Sequence, residues 1–205
     1  MKRREYGGYK SLAFYQQAEI IYDFTVEFCD LYINKRSRTH DQMVQAARSG
    51  KHPTRFSDRC TTAYSAVFAV RKSAGQGNIA EGYLEKSFKA RIKLVGVARA
   101  SLEELLNDYQ DFLRQRRLEI WEKDSDEARK VRALVYNNYK NYNDYKNYMK
   151  SSEGAANAMI CLINQTNQLF DAKLRWMEEK FVKDGGYTEN LFKRRMNYRQ
   201  REKKV

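Results

Sequence analysis

Apolar residues recur at steps of three and four along most of the chain, which is the spacing of one face of an α-helix. The first such stripe predicts a helix from Ser11 to about Asn34, with Ser11 as its N-cap. Its apolar face consists of Phe14, Ala18, Ile21, Phe24, Phe28 and Leu31. The sequence has a single proline in 205 residues, so the pattern predicts long helices rather than a β fold with many turns.

A shorter helix is predicted after the first and is expected to end at Arg48. Thr39 or Asp41 is its expected N-cap, and Gly50 and Pro53 are expected to stop it. The residues on its inner face are Met43, Val44 and Ala47.

Residues 52–76 permit two structures. Ser57 or Asp58 can cap a further helix, whereas the β-branched and aromatic residues that follow also permit a strand. The nearby glycines lack the G-x-G-x-x-G spacing and the βαβ pattern of a phosphate-binding loop; they are Gly75, Gly77 and Gly82. A nucleotide-binding loop is therefore not expected.

Two longer helices are predicted in the second half of the chain. Ser87 caps the first, which runs to about Arg116, and Ser152 caps the second, which Gly185 stops. Arg99 interrupts the apolar stripe of the first helix. That stripe consists of Phe88, Ile92, Val95, Leu102, Leu106, Tyr109 and Leu113, widened by Ala98 and Leu105. The stripe of the second helix consists of Ala156, Met159, Ile163, Phe170, Leu174, Met177 and Phe181.

Between these two helices the sequence predicts another, capped by Ser125 and carrying acidic residues in its first turn. Its second half has a tyrosine at every third position: Tyr136, Tyr139, Tyr142, Tyr145 and Tyr148. On an α-helix each step of three turns back by about 60°, so five tyrosines spread over roughly 240° and cannot all face one core. They are expected to pack in an interface or, with Lys140 and Lys146, to stack on nucleobases. A bias in composition explains the repeat equally well.

The sequence carries 39 Lys and Arg against 26 Asp and Glu, a formal net charge of +13. The excess is segregated, with net charges of +3 in residues 1–10, +7 in residues 35–75 and +5 in residues 183–205. Such a distribution predicts a polyanionic partner, and nucleic acid above all. The predicted nucleic-acid-binding residues are Lys2, Arg3, Arg4, Arg48, Lys51, Arg55, Arg59, Arg71, Lys72, Lys193, Arg194, Arg195 and Arg199. The last four belong to a predicted short helix that leads into a basic tail.

No catalytic centre, metal site or cofactor is expected. The only histidines, His40 and His52, and three widely spaced cysteines give no zinc-binding spacing. Glu103 and Glu104 have no histidine, lysine or metal site to support acid–base chemistry, and they are expected on the solvated face. The sequence therefore predicts a protein that is not an enzyme.

Cysteine usage and hydropathy indicate a cytoplasmic protein that does not insert into a membrane. Cys29 and Cys161 lie in apolar helical patterns and are expected in the core, and an unpaired set that also includes Cys60 suits a reducing compartment. The basic N-terminal residues are not followed by the apolar stretch of a signal peptide. The longest apolar run, Cys60–Val70, is too short to span a bilayer.

Several motifs add a family resemblance. The chain contains NIAEGY at Asn78–Tyr83, then a Lys-Ser linker and a helix that carries ARASLEELLNDY. Its first helix opens with KSLAFYQQAEIIYD. With these motifs it resembles the four-helix-bundle family of proteins encoded in intervening sequences of bacterial 23S rRNA genes, which also contains the accessory variability determinants of diversity-generating retroelements. The segments RTHDQMVQAARSGK and EEKFVKDGGYTENLFKRR resemble the variant of that family with a C-terminal suffix.

The resemblance implies an antiparallel four-helix bundle without catalytic residues. For the retroelement member it implies a basic, barrel-like homopentamer that binds nucleic acid, RNA or DNA, and a partner reverse transcriptase. Asn78 and Glu81 are then expected to orient a turn between helices rather than to bind a ligand.

The sequence departs from the family pattern at about 25 residues, His52–Gln76, which stand between the predicted helix 2 and the NIAEG motif. Either VQAARSGK or its weak echo VRKSAGQG can lead into that helix. The predicted organisation is thus a bundle over residues 1–182, with residues 52–76 inserted in helix 2, and a basic C-terminal extension over residues 183–205.

Two functions fit these observations. The first is an oligomeric nucleic-acid-binding accessory protein, the partner of a retroelement reverse transcriptase. The second is a structural or protein-interaction bundle without a nucleic-acid role, whose charge serves an acidic protein partner.

Overall fold

The computed structural model describes residues 11–51, 87–136 and 141–202. Within these ranges the backbone forms helices and no β-strand. The elements are α1 (Ala13–Tyr32), α2 (Arg38–Lys51), α3 (Phe88–Arg116), α4 (Asp126–Tyr136), a 3₁₀ helix (Tyr142–Lys150), α5 (Ser152–Asp184) and α6 (Tyr187–Glu202). The all-α class predicted from the sequence is therefore confirmed for the described residues. The helix or strand predicted within residues 52–76 lies outside them.

Serine side chains start α3 and α4 as predicted. The Oγ of Ser87 accepts a hydrogen bond from the backbone N–H of Ala90 at 3.4 Å, and the Oγ of Ser125 accepts one from Ala128 at 3.2 Å. Gly185 follows the end of α5 with a φ of +74°, a backbone conformation that favours glycine. Each of these helix ends is therefore fixed by residues next to it in sequence.

The predicted starts of α1 and α5 are wrong by one residue each. Leu12 rather than Ser11 holds the N-cap position of α1, and no side chain caps that helix. At α5 the cap is Ser151, not Ser152, and its Oγ accepts a hydrogen bond from the N–H of Gly154 at 3.0 Å.

The predicted limits of α2 are too narrow at both ends. The Oγ of Ser37 accepts a hydrogen bond from the N–H of Thr39 at 3.2 Å, so the cap is neither Thr39 nor Asp41. The helix also continues through Gly50, because a single glycine weakens a helix without ending it. Pro53, the other expected stop, lies outside the described residues.

Four of the helices contact one another in cyclic order: α1 packs on α2, α2 on α3, α3 on α5 and α5 on α1. Phe88 at the start of α3 stacks on Phe181 near the end of α5, with ring centroids 6.4 Å apart. At the other end, Asn157 near the start of α5 bonds to the segment just after α3, accepting from the Trp121 N–H and donating to the Glu119 carbonyl. α3 and α5 therefore run in opposite directions, and the start of α3 lies beside the end of α5.

The apolar faces predicted for the long helices are buried or pack against the core, with one exception. Leu31 is 58% exposed. The next core position of α1 is Tyr32, whose ring lies 5.4 Å from that of Phe28. The apolar stripe of α1 therefore ends with the step of four residues from Phe28 to Tyr32, not with the predicted step of three to Leu31.

Phe28 lies at the centre of the aromatic core and is fully buried. Its ring centroid is 5.0 Å from that of Tyr109 and 4.8 Å from that of Phe112, so it joins α1 to α3. The Tyr109 hydroxyl donates to the Oγ1 of Thr25 at 3.0 Å, and that hydroxyl donates to the Ile21 carbonyl at 2.7 Å. Burial is the main cause that raises the pKa of Tyr109 and keeps its phenol neutral, whereas the hydrogen bond to Thr25 satisfies the buried hydroxyl.

The tyrosine repeat takes a different structure from the predicted continuous helix. α4 stops at Tyr136, and Tyr142, Tyr145 and Tyr148 lie on the 3₁₀ helix. A 3₁₀ helix has three residues per turn, so side chains three apart align on one face instead of spreading. Tyr145 is buried, and its pKa is raised to about 12 by that burial. The prediction of one continuous α-helix through the repeat is therefore wrong. The prediction that all five tyrosines cannot face one core stays a prediction, because Tyr139 lies outside the described residues.

The other two aligned tyrosines are half-buried and also pack on the protein. The Tyr142 hydroxyl donates to the carboxylate of Glu27 on α1, and Tyr148 makes an edge-to-face contact with Trp121. Lys146 lies 5.3 Å from the Tyr142 ring centroid. The tyrosines that the structure describes thus favour packing over base stacking; Tyr139 and Lys140 lie outside the described residues.

Arg99, which interrupts the apolar stripe of α3, forms a polar bridge to α5. Its guanidinium donates to Asp171 at 3.1 Å and to Glu103 at 2.8 Å, and Asn167 donates to the same Glu103 carboxylate at 3.0 Å. The pKa of Arg99 is raised, chiefly by the hydrogen bond to Asp171 and further by the negative charges of Asp171 and Glu103. Glu103 is therefore part of a structural network rather than purely solvated, whereas Glu104 is exposed as predicted.

Cys29 is fully buried, as expected for a core residue, and burial raises the pKa of its thiol to about 12. Cys161 is half-buried and its pKa is raised for the same reason. Cys60 lies outside the described residues. Among the helices that the structure describes, none is both long and apolar enough to cross a membrane.

Candidate nucleic-acid interface

α6 carries four of the predicted binding residues and packs against the rest of the protein hardly at all. Gly186 precedes the helix, and its N–H donates to the carboxylate of Glu189 at 3.1 Å, which supports the first turn. None of its residues is buried. The side chains of Lys193, Arg194, Arg195 and Arg199 are all exposed. None of these four forms an ion pair with a carboxylate in the part of the chain that the structure describes.

Exposed aromatic side chains lie on the same helix as these cations. Phe192 is 63% exposed and Tyr198 is 64% exposed, and Tyr187 at the start of the helix is also exposed. Large apolar surfaces of this kind are costly to leave in water.

A second basic group, which we call the tryptophan cluster, lies on α5 and the start of α3. It consists of Lys173, Trp176 and Lys180 on α5 and Arg91 on α3. The Nζ of Lys173 lies 3.7 Å and that of Lys180 lies 5.1 Å from the centroid of the half-exposed Trp176 ring. The pKa of Lys173 is lowered, first by burial and then by repulsion from Lys180 and Arg91. The fold thus holds two lysines over a half-exposed indole and a third cation, Arg91, near one of them.

A groove of about 340 Å³ joins the tryptophan cluster to α6. Lys180 and Asp184 line it from α5, Arg194 and Tyr187 line it from α6, and Phe88 lines it from α3, so two cations and one carboxylate face the groove. Arg91 lies above the Phe88 ring at 5.5 Å, and Phe88 in turn stacks on Phe181. A continuous surface therefore runs from Trp176 through Lys180 to Arg194, and we call it the basic–aromatic track.

The face between α2 and α3 has the opposite character. Glu104 and Asp108 line a groove of about 420 Å³ there, together with polar residues of α2. The pKa of Asp108 is raised by burial and by the neighbouring carboxylates of Asp111 and Glu104. Charge is therefore segregated across the folded surface, and this face is unsuited to a polyanion.

The structure does not bring all of the predicted binding residues together. Arg48 is half-buried on α2, the helix that forms the acidic groove, and its Nε is buried without a hydrogen-bond partner among the described residues. Lys51 is the last residue of α2, and its side chain is not among the described ones. The other predicted residues lie outside the described ranges: Lys2, Arg3, Arg4, Arg55, Arg59, Arg71 and Lys72.

The sequence interpretation missed the whole tryptophan cluster. Lys173, Trp176 and Lys180 recur at steps of three and four, which places them on one face of α5, and this spacing was a usable signal. Net charges summed over segments concealed it, because Glu178 and Glu179 in the same stretch cancel the lysines. Glu178 lies about 200° around the helix from Trp176, but Glu179 lies within about 60° of it, so only part of the cancellation in sequence is absent from this face.

No group of three or more His, Cys, Asp or Glu side chains suited to hold a metal ion is found in residues 11–51, 87–136 and 141–202. Comparisons of the chain with protein-family models, with curated proteins and with solved structures find no match.

Proposed function

We propose that this protein is a nonenzymatic nucleic-acid-binding accessory protein and that it binds through the basic–aromatic track and α6. The observation that carries the proposal is the set of four exposed cations on α6 that pair with no described carboxylate. Exposed cations without a carboxylate partner attract phosphates. When a nucleic acid binds to them, it releases counterions, which favours binding. The net charge of +13 and the separate acidic face favour the same partner.

The fold proposed for this function is an antiparallel four-helix bundle of α1, α2, α3 and α5, with residues 52–76 inserted after α2. The cyclic packing order of these helices and the opposite directions of α3 and α5 support it. In this arrangement α4 and the 3₁₀ helix cover α5 from outside the bundle. The basic extension then starts with the bend at Gly185 and continues as α6.

Partner and compartment follow from the family resemblance of the sequence. We propose a cytoplasmic homo-oligomer, a pentamer as the resemblance implies, that serves the reverse transcriptase of a diversity-generating retroelement. The free cysteines Cys29 and Cys161 are consistent with a reducing compartment. A reverse-transcriptase gene with a template repeat beside the gene for this chain would support that role.

Substitution of Lys193, Arg194, Arg195 and Arg199 by alanine tests the binding surface. We expect binding to a 20-nucleotide RNA or DNA to weaken about 10²–10³-fold at 0.1 M salt, because four phosphate contacts are lost. Fluorescence anisotropy measures the affinity. Far-ultraviolet circular dichroism should show little loss of helix, since none of the four side chains is buried.

A matched control removes the same charge elsewhere. Arg116, Lys123, Lys130 and Lys150 are all exposed and lie near the end of α3 and the start of α5, away from the tryptophan cluster. Their replacement by alanine should weaken binding far less. Equal losses in the two variants would show that net charge, rather than α6, determines binding.

Homo-oligomerisation is tested by the mass in solution. The chain has a mass of 24.3 kDa, and light scattering should detect a species several times heavier at micromolar concentrations. The exposed apolar side chains of Leu31, Val97 and Val182 supply surface for such contacts. A single species of monomer mass at every concentration would exclude the oligomer.

The alternative function is a structural or protein-interaction bundle with an acidic protein partner. The exposed aromatic residues of α6, Phe192 and Tyr198, favour it to the extent that they suit a protein interface as well as a nucleobase. Retention on an acidic protein but not on RNA or DNA at low salt would select this alternative.

A further inference from the structure

We propose that the tryptophan cluster is a base-stacking site that makes the protein selective for single-stranded nucleic acid, with one unpaired base lying on Trp176. This inference rests on the proposed nucleic-acid function and adds to it the state of the nucleic acid and the residue that reads it. The bases of a duplex are stacked on each other, so only a single strand offers a free face to an indole.

The geometry around Trp176 supplies both components of such a site. The indole is 48% exposed, which is sufficient for a base to cover one face. The Nζ atoms of Lys173 and Lys180 lie over its ring, at 3.7 and 5.1 Å from the centroid. A base that stacks on the face covered by Lys173 displaces this ammonium from the ring, and the flexible lysine stem lets it pair with a phosphate beside the base. Base stacking on an aromatic side chain beside a basic groove is the common mode of binding to single strands.

The electrostatics of the cluster favour an anion in the same place. Lys173 lies in the field of Lys180 and Arg91, and together with partial burial this field lowers its pKa. A phosphate between these cations would reduce their mutual repulsion and favour the charged form of Lys173. The site is therefore complementary in charge to the phosphate of a nucleotide.

The track also gives the strand a direction to follow. Lys180 belongs both to the tryptophan cluster and to the groove that continues to Arg194 on α6. Phe192 and Tyr198 lie before and after Arg194 on that helix, and both are exposed. A strand that stacks on Trp176 can thus run through the groove and meet further cations and aromatic rings.

The test compares single strand and duplex of one sequence. Trp176→Ala is expected to weaken binding of a 20-nucleotide single strand roughly 5- to 150-fold, which corresponds to the about 1–3 kcal/mol lost with one stacked base. Affinity for the duplex should change less than about twofold, since a duplex does not use the indole. Trp176→Phe, which retains a ring, should restore most of the single-strand affinity.

A fluorescence measurement gives a second readout that does not depend on the folding of Trp176→Ala. The chain has two tryptophans, so Trp121→Phe leaves Trp176 as the only indole. Its emission should be quenched as the single strand is added and should change little with the duplex. An unchanged emission on saturation with single strand would overturn the stacking site.

The remaining outcomes separate this inference from the function on which it rests. If the unmodified protein binds neither nucleic acid at low salt, the proposed function itself fails. If it binds both, and Trp176→Ala leaves the two affinities equal to those of the unmodified protein, the binding function stands and the stacking site is wrong. A Trp176→Ala variant that changes the oligomeric mass but not the affinities would place Trp176 in a contact between subunits and would likewise overturn the proposal.

Discussion

Replacement of Phe28 by alanine is expected to lower the free energy of unfolding by about 3–5 kcal/mol. The ring is fully buried and contacts Tyr32, Tyr109 and Phe112. Its removal therefore leaves a cavity in the aromatic core between α1 and α3. A loss of this size is a large fraction of the roughly 5–15 kcal/mol that stabilises a typical domain. Urea denaturation followed by circular dichroism, at one fixed protein concentration, measures the change.

The control for Phe28 lies three residues along the same helix. Leu31 is largely exposed, and its replacement by alanine should change the free energy of unfolding by less than about 0.5 kcal/mol. Phe28→Leu should fall between the two, since leucine fills part of the cavity. If Phe28→Ala were no more destabilised than Leu31→Ala, the aromatic core described for α1 and α3 would be incorrect.

The sequence predicts most of the helical architecture because the relevant signals are local. Ser87, Ser125 and Gly185 were placed correctly, since a cap bonds to backbone only three or four residues away. Ser151 and Ser152 are adjacent and equally suited to cap α5, and the choice depends on where the preceding 3₁₀ helix leaves the chain. Sequence pattern alone does not contain that information.

The tyrosine repeat shows how the assumed helix type changes a conclusion. With 3.6 residues per turn, a period of three spreads side chains around the helix, and with three residues per turn it aligns them. Tyr142, Tyr145 and Tyr148 are aligned and packed, so the period itself was the signal for a 3₁₀ helix. The α-helical prediction overlooked it because 3₁₀ helices of nine residues are uncommon.

The candidate binding surface was predictable in part. The four predicted cations of α6 lie within seven residues of sequence, Lys193–Arg199, so a charge count finds them. The tryptophan cluster joins Arg91 of α3 to residues of α5 about 80 positions later, and that neighbourhood exists only because the two helices run in opposite directions. Summed segment charges also cannot show that Glu104 and Asp108 gather on a different face.

The second large effect is expected in the salt dependence of binding. Seven of the eight described cations in α6 and the tryptophan cluster form the proposed surface: Arg91, Lys173, Lys180, Lys193, Arg194, Arg195 and Arg199. The eighth is Arg201, next to the end of α6. Each phosphate that such a group neutralises contributes about −0.7 to the slope of log K against log salt concentration for a single strand. If all seven engage, the slope is about −5, and affinity falls roughly 10³-fold between 50 and 200 mM salt.

The salt titration of the unmodified protein with a single-stranded 20-nucleotide RNA or DNA is the most direct test of nucleic-acid binding through this surface. The predicted result is tight binding at 50 mM salt and a linear slope of about −5, reduced to about −2 in the variant that lacks the four cations of α6. No binding at 50 mM salt, or a slope near zero, would contradict a phosphate-binding surface and leave the bundle as a protein-interaction module.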